Sequence, residues 1–227
     1  MEEFIYEMHQ HTAPCSGCAK GAPALTVSAL KEAGFAGMVI TNHFLHGNTG
    51  IDRSLPWKEF VSYYENDYLA AKAQGEKEDF DVIFGVEEHV GRGKEVLLYG
   101  ITPELLYAHP ELGSGELAVI SAVVREAGGL VFQAHPFRSR SYIPDPLETL
   151  PLAYLDGIET YNAANPEDEN RMAAAYAEKY GMLTCAGSDA HTEYREIRFG
   201  ISCPHRIKTA EELVRTLKSG EYSLHIE

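Results

Sequence analysis

The chain contains no apolar run approaching the roughly 18–20 residues of a membrane-spanning helix, and its first residues, MEEFIYEMH, have neither the basic start nor the apolar stretch of a secretory signal. A cytoplasmic protein is the expectation. Cysteine is scarce, with only Cys15, Cys18, Cys185 and Cys203. In a reducing compartment such a set is not expected to form a disulfide framework. Basic charge is the third deficit: 19 Lys and Arg face 34 Asp and Glu, for a formal net charge of -15. Polyanions gain affinity mainly from Lys and Arg that neutralise phosphates, so no extended nucleic-acid surface is expected. A small anion stays accessible where bound cations invert the local field. Repeats and low-complexity tracts are absent too. The 227 residues, 44% hydrophobic and 23% charged, fit one globular domain over residues 1–227.

What is present is an alternation of strand and helix patterns. FIYEMH reads as a strand, TVSALKEAG as a helix that Thr26 can cap and Gly34 can end, and GMVITNH as a second strand. WKEFVSYYENDYLAAKAQG has helical spacing, and DVIFGVE follows as a third strand. The turn GRGK leads into EVLLYGI, so the third and fourth strands form a hairpin-like pair. GRGK has neither the Walker spacing nor the following Ser or Thr of a phosphate loop. Next come the helix SGELAVISAVVREAGG, the strands LVFQAHP and LDGIETYN, the helix PEDENRMAAAYAEKYG, and the strand MLTCAGSDAH. EIRFGISC is one more extended segment and TAEELVRTLKSG a closing helix. Such alternation implies a largely parallel sheet or closed barrel with functional groups at the strand carboxyl ends.

His9, His11, His43, Glu87, His135, Asp189 and His191 each end an apolar run. Residues two apart on a strand share a face, so His9 and His11 can reach one ion, and Asp189 and His191 repeat the spacing. One such pair is as compatible with packing as with metal binding. Five strand ends in order, carrying only His, Asp and Glu, argue for a shared cation site. Alone, His135 is equally a buried ring bonded to a carbonyl, whereas Glu87 at the end of VIFGV needs a partner or an ion. His46, His89, His109, His205 and His225 read as loop, turn or tail residues without a site role. Arg138 follows His135 by three residues and is expected at the site's rim, where a guanidinium can clamp a phosphate oxygen. FLHGNTGIDRSLPWKEF can cover the site's mouth, with Arg53 and Trp57 read mainly as packing for that loop. The C-x-x-C pair lacks the immediate helix start of a redox motif and the second close pair of a zinc ribbon.

Taken together, MHQHT, ITNHF, GVE, AHPF and GSDAH, in this order across nearly the whole chain, resemble the PHP (polymerase and histidinol phosphatase) superfamily of metal-dependent phosphoesterases. The resemblance implies an α/β fold, a distorted (β/α)7 barrel related to the TIM barrel, with two to three divalent ions (zinc, manganese or iron) at the strand carboxyl ends. It implies that His9, His11, Glu87 and Asp189 hold one ion. Glu87 would bridge to a second, which His135 also binds and which Glu95 completes where relatives often have histidine. A third ion would use His43, His191 and an aspartate shortly after the H-x-H motif. Ser16 stands at that place here and is a poor ligand; Cys15 or Cys18 could supply a thiolate and favour a softer ion.

The function this implies is hydrolysis of a small phosphorylated metabolite, a phosphomonoester, by a metal-activated hydroxide. Phosphate-monoester hydrolysis needs up to about 10²¹-fold acceleration, and positioning supplies roughly 7–11 kcal/mol of the barrier. Metals must supply much of the remainder. His191 or His43 would protonate the leaving oxygen, and Arg138 would neutralise a non-bridging one. Two alternatives stay open: a non-catalytic metal-binding or regulatory module, and a metallohydrolase acting on a non-phosphate bond.

Overall fold

Strand-forming and helix-forming stretches alternate through the described residues, 3–192 and 199–227, of a computed structural model. The strands are β1 (Phe4–Gln10), β2 (Gly37–Ile40), β3 (Asp81–Phe84), β4 (Val86–His89), β5 (Glu95–Tyr99), β6 (Leu130–Gln133), β7 (Gly157–Asn162), β8 (Leu183–Gly187), β9 (Phe199–Cys203) and β10 (Ser223–Ile226). The helices are α1 (Pro23–Glu32), α2 (Trp57–Glu78), α3 (Pro103–Ala108), α4 (Leu117–Glu126), α5 (Glu167–Tyr180) and α6 (Ala210–Ser219). Among the described residues, no helix is long and apolar enough to cross a membrane.

The strands form two mixed five-stranded sheets, ordered β10-β9-β1-β2-β3 and β4-β5-β6-β7-β8. The expected seven-stranded barrel is therefore not observed as a closed ring. Two features account for the difference. The segment DVIFGVE breaks at Gly85, and β3 and β4 on either side of it enter different sheets; a Cβ at Gly85 would lie 2.8 Å from Val39 Cγ1 and 3.1 Å from the Leu98 carbonyl. β9 and β10 then add antiparallel strands beside β1. The first three residues of EIRFGISC lie outside the described residues; the rest is β9.

Two seams join the sheets. Gln10 pairs with Ala190, and His43 pairs with Glu87, both as isolated parallel bridges. Backbone bonds reinforce them: Asp189 N–H donates to His9 O at 3.0 Å, and Glu87 N–H to Asn42 O at 3.1 Å. The hairpin expected around GRGK is present, with Glu87 opposite Leu97 and His89 opposite Glu95. Because β5 runs antiparallel to β4 and β6, its first residue, Glu95, lies where those two strands end.

Local chemistry moves some boundaries. α1 starts at Pro23, whose fixed φ suits a first helical position, so Thr26 is a buried interior residue and not the cap. Gly34 follows the helix with a φ of 91°, as a stop signal requires. α3 and β10 are short and escaped the pattern reading; His225 therefore lies in a strand, and His89 ends β4. Three apolar clusters support the sheets. One packs Phe44, Phe60, Tyr64 and Phe84 beneath α2, another joins Tyr6, Met8, Tyr99 and Phe132 to α6, and a third sets α1 against Met38 and Ile40.

Gly187, the glycine of GSDAH, ends β8 where β1 crosses close by. A Cβ there would collide with His9 Cβ and lie 2.9 Å from the His9 nitrogen. Overpacking of this kind costs about 1–3 kcal/mol. Gly187→Ala should lower the urea midpoint accordingly with an unchanged m-value, and an unshifted midpoint would contradict the close approach.

Candidate metal centre

Alternation along β1 sends Tyr6 and Met8 into the apolar core and turns Glu7 and His9 the other way. His11, just past the strand, keeps the same phase, and its Nε2 lies 3.1 Å from that of His9. Glu87 reaches the same point across the seam. Its carboxylate lies 3.2 Å from His9 Nε2, 3.3 Å from His11 Nε2, 2.8 Å from His43 Nδ1 and 3.1 Å from His135 Nε2. Glu95 joins from the hairpin, 3.4 Å from His135 Nε2 and 3.8 Å from His43 Nδ1. Asp189 arrives from the other seam, 3.2 Å from His11 Nε2. His191 packs its ring on His11 at 4.3 Å between centroids, with Nδ1 2.9 Å from the Asp189 carbonyl oxygen. All eight residues expected to share a site are thus brought together, six of them buried and Glu95 and His191 partly so.

Burial opposes ionisation of Glu87, but facing His9 and His43, with contacts from His11 and His135, hold its carboxyl well below the usual range. Burial likewise opposes charge on Asp189, and His9 and Arg138 overcome it. Glu95 is pushed up to about 7 by burial and by the Glu87 charge. His11 is pulled down to about 4 by burial and by neighbouring His43.

The donor set fits divalent cations. Glu159, wholly buried, can only accept from His9 Nδ1 at 2.8 Å, which leaves the His9 Nε2 lone pair directed at the cluster. Glu87 Oε2 and His43 Nδ1 are 2.8 Å apart, yet the approach is badly directed and each remains a buried atom without a hydrogen-bond partner. Leaving such groups unpaired is costly, and an ion between them would satisfy both. Four groups of three ligand atoms lie within 4.8 Å of one another: His9, Glu87 and His135; His9, His11 and Asp189; His43, Glu87 and Glu95; and His11, His43 and His191. Two members also hold backbones in the left-handed region, His135 at φ 26° and Asp189 at φ 50°. Non-glycine residues adopt this at a cost of about 1–3 kcal/mol, and such strain concentrates at functional sites.

Known proteins share this architecture. Residues 167–222 match a family model described as PHP-associated. A two-domain protein from Bacteroides vulgatus, containing a predicted PHP-like metal-dependent phosphoesterase, superposes with a TM-score of 0.72 at 14% identity over 99% of this chain. The chain spans 65% of that protein. The chain has a PHP-like fold. The lesion-specific endonuclease PfuEndoQ from Pyrococcus furiosus is similar at a TM-score of 0.62 and 16% identity, over 99% of this chain and 58% of its own. An amidohydrolase from Chromobacterium violaceum is similar at 0.55 and 16% identity, over 82% and 87%. No curated protein matches the sequence.

Within the PHP-like frame, several expected residues take different places. Arg138 is not at an open rim but buried, with Nη2 2.6 Å from Asp189 Oδ2 and 3.0 Å from Asn162 Oδ1, and Nε 2.8 Å from Asn165 Oδ1. Ser16 stands behind the rings: its Oγ lies 2.9 Å from His11 Nδ1 and accepts the His43 N–H at 3.0 Å. The two cysteines of C-x-x-C separate, Cys15 entering the apolar core and Cys18 lying exposed on the side of His191 and His43. Arg53 and Trp57 pack their segment against the body of the protein, Arg53 Nε on the Leu45 carbonyl at 2.8 Å and Trp57 Nε1 on that of Leu106 at 2.7 Å. His46, His89, His109, His205 and His225 belong to none of the four ligand groups.

Glu159 was missed by sequence reasoning. Besides His9, it accepts the His135 N–H at 2.9 Å and Asn162 Nδ2 at 3.0 Å. The available signal was a carboxylate inside the strand GIETYN, which burial makes costly unless it has partners.

Two outcomes follow. Glu159→Gln should weaken divalent-metal affinity by about 10–100-fold, the usual effect of losing an outer-shell partner, read by competition against a chromogenic chelator. Burial raises the Cys18 thiol, but hydrogen bonds with His191 and His43 prevail and bring it down to about 6 from 9.0. The thiolate is the nucleophile, so in metal-free protein its alkylation by iodoacetamide should rise through about pH 6, while buried Cys15 stays unmodified by peptide mass mapping.

Proposed function

We propose that this protein is a metal-dependent phosphoesterase acting on a small phosphorylated substrate, most simply a phosphomonoester, with residues 1–227 forming one catalytic domain whose two sheets correspond to a distorted, opened barrel. The observation that supports it is the Glu87 carboxylate within 3.3 Å of four imidazole nitrogens. His9, His11, Asp189 and Glu87 would hold one ion, and Glu87, His135 and Glu95 a second. Divalent ions there would supply Lewis-acid chemistry and ionise water near neutral pH.

The chain's own groups do the rest. Glu159 fixes the His9 tautomer, and Ser16 fixes the His11 ring. Asn162 and Asn165 hold the Arg138 guanidinium beside Asp189, where it offers positive charge to a phosphate oxygen. His191, partly exposed with Nδ1 on a backbone carbonyl, presents its other nitrogen for proton donation to the leaving oxygen. His43 is the alternative donor where its ring is not committed to an ion. A small substrate is favoured over a nucleic-acid polymer, because the chain carries a net charge of -15. The endonuclease neighbour makes nucleic acid a necessary member of any substrate panel.

Protein purified without chelators should hydrolyse small phosphate esters, lose turnover on chelation, and regain it with manganese, zinc or iron. Glu87→Gln should reduce kcat by more than about 100-fold, since even an outer-shell partner is worth about 10–100-fold. Metal-replete protein inert towards mono- and diesters, with Glu87→Gln indistinguishable from wild type, would sink the reading. Stoichiometric metal binding without turnover would instead favour a non-catalytic module, and turnover of amides or lactones alone a different hydrolase.

A further inference from the structure

A cavity of about 360 Å³ lies between the loop that follows His11, residues 50–55 and α2. None of the eight candidate metal ligands lines it. Small-molecule sites span roughly 300–1,000 Å³ and combine apolar walls with a few placed polar groups. The walls here are Pro14, Ile51, Leu55 and Tyr63, and two carboxylates, Asp52 and Asp67, face the same space. Among the described residues, no Lys, Arg or His lines it.

Asp67 is only 4% exposed. Its Oδ2 accepts from Thr12 Oγ1 at 2.8 Å, from the Cys15 N–H at 3.1 Å and from Asn42 Nδ2 at 3.5 Å. These donors are all neutral, and no charged group among the described residues offsets the carboxylate. Oδ1 accepts from none of the described residues. Bracing the loop after His11 accounts for one oxygen alone, since the amide oxygen of an asparagine could accept the same three bonds. A nearly sealed carboxylate without a counter-charge is costly, and the cavity it lines is where that charge can enter.

The surroundings hold this carboxylate in place before anything binds. Asn42 Oδ1 accepts the Thr12 N–H at 2.6 Å and Ser16 Oγ at 3.0 Å, and the Gly50 N–H donates to Cys15 O at 2.7 Å, tying residues 50–55 to the opposite wall. At the exposed end, Asp52 Oδ1 accepts both the N–H and the hydroxyl of Ser54, which leaves Oδ2 for a second contact. A divalent ion wants about six to eight oxygens, and walls this apolar do not supply them.

We propose that this cavity binds a small organic monocation, a primary amine with an apolar body. The ammonium donates charge-assisted hydrogen bonds to Asp67 Oδ1 and toward Asp52, and the body packs on Pro14, Ile51, Leu55 and Tyr63. The site is separate from the Glu87 cluster and does not depend on that cluster holding metal.

Isothermal titration calorimetry on the full chain, with phenethylamine as probe, tests this. Wild type should bind one equivalent, at least about tenfold more tightly than 2-phenylethanol, its neutral counterpart, or ammonium chloride, which lacks the apolar body. Asp67→Asn should lose at least about tenfold in affinity, and Tyr63→Ala, at an exposed wall position, should bind more weakly than wild type. Glu59→Gln, which removes an exposed carboxylate from the same helix, should bind like wild type and so separate pairing at Asp67 from the general attraction of an acidic protein. No saturable binding to folded wild type, equal affinity for 2-phenylethanol, or undiminished affinity in Asp67→Asn overturns the proposal. Should Asp67→Asn not fold, undiminished affinity in Tyr63→Ala does the same.

Discussion

One carboxylate, Glu87, lies within 3.3 Å of four imidazole nitrogens in a pocket almost sealed from water. Everything around it is arranged to make that contact tolerable. A buried carboxylate is expensive unless positive charge or several donors meet it, and Asp189 and Glu95 add to the same negative load. The fold answers with imidazoles from three directions and with Arg138 bound to Asp189 at 2.6 Å. Rings whose outer nitrogens are tied to Glu159 and Ser16 direct their remaining lone pairs inward, an arrangement suited to cations.

This convergence depends on where the two sheets meet. The His43–Glu87 and Gln10–Ala190 bridges are the seams of the molecule, and the candidate ligands flank both. Any slip in either seam would separate the ligand atoms by more than an ion could span. The positive φ values of His135 and Asp189 and the close fit of Gly187 on His9 show that local backbone comfort is given up to hold this register. The apolar clusters beneath α2 and α6 offset that cost.

Much of this was legible from spacing. Period-two alternation places His9 and His11 together without knowledge of the fold, and the strand-exit rule gathers His43, His135, Asp189 and His191. Glu95 fits only once β5 is known to run backwards, since it begins a strand instead of ending one. The two-sheet architecture turned on Gly85, read as one residue in a continuous strand when it separates β3 from β4. Glu159, Ser16 and the anchoring of Arg138 were not legible, because each depends on a contact between residues far apart in sequence or on which way a hydroxyl faces. Thr26 misled for a local reason: a proline three residues earlier had already set the helix start.

The seam between Gln10 and Ala190 joins residues 180 positions apart. A ribosome making this chain from its amino end therefore produces His9 and His11 long before Asp189 exists to face them, while Glu87 and Glu95 emerge together on one hairpin. Two of the three carboxylates of the cluster, Glu87 and Glu95, can assemble locally, and the third, Asp189, waits for a strand made much later. Completion of the pocket is thus tied to completion of the fold, so truncated or misfolded chains would offer a scavenged ion only scattered, low-affinity ligands.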